Sequence, residues 1–477
     1  MEPVTDRLAT SDASPLVPRE ALDAVLVAAL RSGGEFAEVF VEDRRSGSAR
    51  LDDRRVEELV SGRERGAGIR VVNGDTVGFA HTADLTVSGL EHAAAAAAAA
   101  ARGAGTATRT IALPDAPRAP DNDVIVFPDT VAKSRKIELL RQADDAARSE
   151  GDAIRSVSAS YAEARRRIVV ANSDGLYATD ERVRTRFAVQ AVAAGDTGMH
   201  TGLEAPGRTM GFEFFDEFAV ADIARKAATQ ALTLVESVPA PSGKVPVVLR
   251  RGAGGVLFHE ACGHGLEADL IQRDASVFVG KVGETVAAPG VTLIDDGTFG
   301  REWGTFAIDD EGQPARPNTL IDNGVLTDYM WDLVRARKAG RASSGNGRRE
   351  TYQVLPMVRM TNTYLAAGDA DADAIIADTD FGVYCVQLGG GQVNTATGDF
   401  VFGVTEGYLI ERGRITRPIR PAQLIGNGPA ALHDIDAIGN DFATWTGTCG
   451  KRGQSVPVSS GQPTLRIQNL TIGGTAA

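Results

Sequence analysis

The sequence predicts an α+β protein, with helices and antiparallel strands in its N-terminal half and a β-rich C-terminal half. Three observations carry this expectation. Apolar residues recur at helical spacing in a few segments, and short alternating runs separated by turn residues fill much of the rest. Glycine is frequent, at 53 of 477 residues with 20 prolines, as a chain of many turns requires. After Gly243 the helical signals thin out and strand-and-turn patterning takes over. At roughly 150 residues per domain, this length predicts two or three domains.

Residues 1–17 read as a flexible tail. A helix is expected over Pro18 to Arg31, with Leu22, Val25, Leu26 and Ala29 on one face and Gly33-Gly34 stopping it. From Phe36 to Ala80 the runs AEVFVE, GSARLD, RVEELVSG, GAGIRVV and TVGFAH suggest an antiparallel meander, with a turn at Asn73-Gly74. The alanine-rich stretch from Leu85 to Arg102 predicts a helix. Gly103 to Asp129, rich in Pro, Thr and Asp, reads as a linker. A helix over Thr130 to Glu150, strands in Ile154–Tyr161, Arg166–Ala171 and Arg182–Ala194, and a helix over Val220–Ser237 complete this half. Residues 18–240 are therefore expected to form one α+β region, with room for two related lobes at 18–102 and 130–237. Residues 244–477 form the second, β-rich domain: the strand KVPVVLR, a glycine-rich turn, a histidine-bearing helix, and then mostly antiparallel strands.

Charge and cysteine content exclude several classes. Lys and Arg total 50 against 63 Asp and Glu, a net charge of −13, the wrong sign for a protein that binds nucleic acid through phosphates. The N-terminus lacks the positive cluster and apolar run of a signal peptide, and no apolar stretch approaches the ~20 residues that span a bilayer. Neither nucleic acid nor membrane is an expected partner. Cys262, Cys385 and Cys449 cannot all pair, which predicts free thiols and a cytoplasmic, reducing location.

The chemistry concentrates around two of the six histidines. The segment GVLFHEACGHGLEAD holds His259, Glu260 and His264 as H-E-x-x-x-H. The zincin pattern places its histidines at i and i+4 on one helical face. Here they are at i and i+5, roughly 140° apart on a regular helix, so sharing an ion requires the helix to bend or bulge. Gly263 and Gly265 lower the cost of that distortion, and a distorted helix is expected there. Glu260 directly follows the first histidine, as does the general base toward a metal-bound water in zincins. A third ligand must come from elsewhere, and a thiolate would favour zinc. Cys262 has poor room to chelate from its own helix turn, and Cys385 lies in the core-like strand GVYCVQL. Cys449 lies in a polar, glycine-rich loop, GTCGKRGQ, where Lys451 and Arg452 would favour a thiolate. Position and chemistry favour Cys449.

The segments FHEACGHGLEAD, DDGTFGREWGTFAIDDEG, SGNGRRETY, MTNTY, GGGQV and GTCGKRGQSVPVSSGQPTLRIQNLTIGG together resemble the TldD/PmbA (TldE) metalloprotease family, on the side of its TldD subunit. The match is dense from about Val245 to Gly474. The resemblance implies that His259, His264 and Cys449 are zinc ligands and Glu260 the catalytic base. It also implies hydrolysis of peptides or unfolded polypeptides, threaded as an added strand into a closed tunnel. That tunnel would lie within a dimer: a homodimer of the chain alone, or a heterodimer with a TldE/PmbA-type subunit lacking the metal motif.

Milder expectations attach to other segments. Asn346, Arg348 and Arg349, with Gly390, Gly391 and Gln392, are candidates for lining a groove and contacting a peptide, against the alternative that both segments are hairpin turns. Asp295-Asp296 and Asp309-Asp310-Glu311 lack the spacing of a calcium loop and read as turn and surface groups. His81, His92, His200 and His433 show no partner pattern. Two rival functions compete with the zinc peptidase: a non-enzymatic binding subunit or regulator, for example of a topoisomerase or toxin–antitoxin system, and a metal-dependent amidase acting on small molecules.

Overall fold

The computed structural model describes residues 14–101, 124–196, 198–252 and 254–474. Most of the expected tail and of the linker therefore lies outside the described residues. The end of the tail does not stand free, since Val17 is buried with the first helix.

The N-terminal half is built on one sheet, to which segments 18–102 and 130–237 each contribute three strands, with a separate helix-covered core under each. Its strands are β1 (Phe36–Asp52), β2 (Arg55–Asn73), β3 (Thr76–Thr82), β4 (Ile154–Asn172), β5 (Tyr177–Gly195) and β6 (Gly198–Glu204), ordered β3-β2-β1-β4-β5-β6. The runs expected as separate short strands fuse into long ones: AEVFVE and GSARLD are both β1, and RVEELVSG and GAGIRVV are both β2. The Asn73-Gly74 turn forms as expected, with Gly74 at φ 56° and Asn73 paired to Thr76.

Side-chain alternation along these strands explains how the sheet is used. Odd positions of β1 and β4 face four helices. Ala37, Val39, Val41 and Val169 pack under α1 (Arg19–Leu30) and α2 (Val87–Ala100). Ala49, Leu51, Val157 and Ala159 pack under α3 (Lys133–Arg148) and the helix Val220–Val235. Even positions face the C-terminal half, where Phe40, Ile168 and Val170 pack with Ile308 and Tyr352 beside a set of buried charges. Glu38 takes both Arg70 (2.7 Å) and Arg349 (2.5 Å), Glu42 takes Arg166 (2.6 Å), and Arg182 bridges Asp180 and Asp310 (2.8 Å each). All of these side chains are buried. Removing one partner from such a pair costs about 3–5 kcal/mol, so the network ties the two halves together whatever its net worth. Asp309, Asp310 and Glu311, expected at the surface, are at its centre. So is Arg349, which accounts for its burial. Asp295 and Asp296 are buried too, Asp295 accepting from Asn346, Thr361 and Thr363.

The C-terminal half contains two large sheets and a two-stranded ribbon, Gly347–Arg348 with Met357–Val358. In the first, the strands Phe381–Val393, Gly243–Leu249, Leu465–Gly474, Ala422–Asn427 and Asp399–Glu411 pair in that order, and the last pairs back onto the first to close a five-stranded barrel. The second is six-stranded and ends in Asn362–Leu365, Gln454–Gln462 and Ala443–Lys451. Two pairings are parallel, Phe381–Val393 with Gly243–Leu249 and Asn362–Leu365 with Gln454–Gln462; the expectation of antiparallel strands holds for the rest. The histidine-bearing segment runs between barrel and sheet, touching strands of both.

Candidate metal centre

The strand Gly243–Leu249 is the barrel's first in chain order, and a short α-helix, Gly255–Phe258, begins six residues after its end. A Cβ at Gly255 would sit 2.5 Å from the Gly461 backbone nitrogen, so glycine lets this helix rest directly on the strand Gln454–Gln462. Over His259–Gly263 the helix then widens into a π turn, with the His264 N–H donating to the His259 carbonyl five residues back. This is the distortion that the i, i+5 spacing demanded. A π turn brings residues five apart onto one face, and such turns cluster at functional sites. Gly263 makes it possible, because a Cβ there would come within 2.1 Å of the buried Met360 Sδ.

The result is a convergence of three donors. Ligand atoms of His259, His264 and Cys449 all lie within 4.8 Å of one another. Cys449 Sγ is 3.5 Å from His264 Nε2, and the two imidazoles meet edge to face with centroids 5.2 Å apart. Both ring nitrogens of His259 are buried without a hydrogen-bond partner. Buried polar atoms are rarely left this way, since each costs about 1–3 kcal/mol. A cation between the three groups would satisfy them.

Cys449 does not lie in a loop. It belongs to the strand Ala443–Lys451, which turns at Arg452 and Gly453 (φ 50° and 75°) into Gln454–Gln462. The cause of its acidity also differs from the expected one. Lys451 is engaged elsewhere, donating to Glu267 (2.8 Å) and Asp269 (2.7 Å). Burial opposes ionisation of the Cys449 thiol, but the adjacent His259 and His264 outweigh it and hold the pKa well below the ordinary thiol range. The other two cysteines are core residues whose thiols burial pushes up to about 12.

One residue escaped the sequence reading. Glu267 is fully buried and accepts from His264 Nδ1 at 3.0 Å, which leaves Nε2 aimed at Cys449. Burial raises its pKa, yet His264 and Lys451 bring it down to about 2. Carboxylates commonly orient metal-binding histidines in this way. Its position three residues after His264 was the available signal. Glu260 reaches the opposite edge of the ring, with Oε2 3.6 Å from His264 Nε2 and its side chain 25% exposed.

Family profiles match most of the chain in three consecutive segments. They are described as PmbA/TldA metallopeptidase domain 1 over residues 37–101, the central domain over 128–235 and the C-terminal domain over 242–474. The chain belongs to the PmbA/TldD metallopeptidase family. It is 38% identical over 453 residues to a metalloprotease TldD homolog of Haemophilus influenzae, covering 92% of this chain and 93% of the relative. It is 35% identical to a metalloprotease of Methanothermobacter thermautotrophicus over 92% of this chain and 96% of that protein. Its fold superposes on crystalline TldE from Thermococcus kodakarensis with a TM-score of 0.77 at 19% identity, over 95% of this chain and 100% of the other.

In this family member the remaining candidate residues are spread apart. Asn346, Arg348 and Arg349 are buried, and their contacts are internal. Asn346 donates to Asp295 and to the Arg359 carbonyl, and Arg348 to the carbonyls of Met360 and Pro457. The groove-lining expectation gives way for these three to an internal role, since a guanidinium committed to buried carbonyls has no free fork for a peptide. Gly390 and Gln392 are exposed and Gly391 is half-buried, on a bulged part of the barrel strand Phe381–Val393. No described helix is long and apolar enough to cross a membrane.

Proposed function

We propose that this chain is a zinc-dependent metallopeptidase that hydrolyses peptides or unfolded polypeptides bound as an extended strand. The observation that carries the reading is the buried, unpartnered His259 ring beside His264 and Cys449. Zinc is the metal that suits two imidazoles and a thiolate. Donors at about 2.3 and 2.0 Å from a tetrahedral zinc stand roughly 3.5 Å apart, matching the separation of Cys449 Sγ and His264 Nε2. A relative in Saccharolobus solfataricus, 30% identical over 56% of this chain, is named a zinc metalloprotease TldD homolog.

Bound zinc supplies the Lewis acid that polarises the scissile carbonyl and acidifies the attacking water. His259, His264 and Cys449 would hold it. Glu260, partly exposed beside His264, takes the proton of the attacking water and passes it to the leaving nitrogen. Support for an extended substrate comes from the strand Ala443–Lys451. It is the end strand of its sheet and carries Cys449, so a peptide paired to its outer edge would pass the metal.

The working form in this reading is a dimer, either of two copies or with a TldE/PmbA-type non-catalytic subunit, in the cytoplasm. The supporting feature is β2. Arg55–Arg65 is exposed throughout, because β3 pairs only with Ala67–Asn73 and leaves the outer edge of this stretch open. The test is digestion of casein by the purified chain, with and without such a partner, read by mass spectrometry beside zinc analysis. Stoichiometric zinc and peptide products that vanish in Glu260→Ala are expected; products that persist in that variant overturn the mechanism.

A further inference from the structure

Lys451 stands two positions after Cys449 on the same strand, and alternation puts both side chains on one face. An ammonium has three donors, and all three are used: on Glu267 Oε2 at 2.8 Å, Asp269 Oδ1 at 2.7 Å and the Val358 carbonyl at 3.1 Å. Both carboxylates are fully buried. Glu267 Oε2 is shared, since it also accepts from His264 Nδ1. The contacts therefore close a ring: Cys449 Sγ to His264, His264 to Glu267, Glu267 to Lys451, and Lys451 back along the strand to Cys449. The ring joins two segments 185 residues apart, one bearing His264 and the other Cys449.

We propose that Lys451 is a positioning residue of the metal centre, resting on the reading of His264 and Cys449 as ligands. It holds Glu267 in the one orientation that fixes the His264 ring, and it anchors the Cys449 strand to the same carboxylate. Without it, Asp269 keeps only Arg452 at 3.7 Å, the two buried carboxylates repel, and Glu267 swings away from Nδ1. The strand itself has a second brace, because Arg359 donates to the Cys449 and Gln454 carbonyls. Loss of Lys451 therefore perturbs the geometry of the donors more than the presence of the hairpin.

A bland alternative is that Lys451 only offsets buried charge, which would change stability and leave coordination alone. Cobalt(II) substitution separates the two, because thiolate-to-cobalt charge transfer and the d–d bands report donor geometry without reference to turnover. In Lys451→Met, zinc affinity measured by chelator competition is expected to fall about 10- to 100-fold, with shifted d–d bands and a weaker charge-transfer band. Lys451→Arg keeps the charge but not the compact three-way contact, and is expected to show the same shifts more weakly. If Lys451→Met does not fold, Lys451→Arg decides. Wild-type spectra and zinc affinity within twofold in the folded variants overturn the role of Lys451, whatever the melting temperature does. A wild-type cobalt spectrum with no thiolate band overturns the ligand reading itself.

Discussion

Cys449 Sγ lies 3.5 Å from His264 Nε2, although the two residues are 185 positions apart and sit on different elements, a strand at a sheet edge and the end of a π turn. The approach depends on the π turn. On a regular helix His264 would point roughly 140° away from His259, and no position of the strand could serve both rings.

Glu260→Gln is therefore expected to keep its zinc and lose peptide hydrolysis by about 10²–10⁴-fold, the usual contribution of a positioned general base. Parallel measurements of kcat/KM and metal content check this. Loss of zinc in the variant would make Glu260 a structural group.

The three cysteines should separate cleanly. Cys449→Ser is expected to lose stoichiometric zinc, whereas Cys262→Ala and Cys385→Ala retain it, because those two thiols are core groups held protonated by burial. Metal analysis after gel filtration measures all three, and retention of zinc by Cys449→Ser would contradict the assignment.

Gly263→Ala tests the π turn. The added methyl meets Met360 Sδ in a site with no exposed surface, and overpacking of this kind costs about 1–3 kcal/mol. Denaturant unfolding should show that loss together with substoichiometric zinc. Wild-type stability and zinc content would mean that the turn relaxes without consequence.

Glu311 links the junction of the halves to pH. Burial, with Asp332 and Glu38 nearby, outweighs Arg70 and raises its pKa to about 7, and Asp309 beside it is raised together with it. A carboxyl whose folded pKa lies above its unfolded value favours the fold when protonated. Its contribution is complete below about 4.3 and is lost as pH rises through about 7. Stability should therefore decline between pH 5 and 8, and Glu311→Gln, which leaves Arg70 paired with Glu38, should flatten that decline. Urea midpoints at the two pH values decide it; equal slopes would remove Glu311 from the account.

The open edge of β2 predicts the assembly. Val60 is 55% exposed, so Val60→Lys should leave the fold intact and convert a particle of about 100 kDa into one near the chain mass of 50.1 kDa. Light scattering at micromolar concentration measures this. A wild-type particle already at the monomer mass, unchanged by a TldE-type partner, ends the dimer reading.

What the sequence determined by itself is local in origin. The helix Arg19–Leu30, the turn at Gly74, the H-E-x-x-x-H segment with its need for a distorted helix, and the burial of Cys385 all follow from spacing, propensity and glycine placement within a few residues. The alternation of β1 was legible too, but not its length. The polar stretch that seemed to interrupt it is accommodated because neighbouring long strands pair along its whole span. Tertiary structure decided the rest. Asp310 and Glu311 resemble surface turn residues until Arg182 and Arg70, more than a hundred positions away, meet them in the interior, and Asp309 beside them accepts from the Gly347 N–H. Arg348 and Arg349 look like free forks until buried carbonyls and Glu38 engage them. The role of Glu267 depends on Lys451, 184 residues on. Buried charge is tolerable only beside its partner, and partners that distant in sequence are brought together by the packing of the two halves.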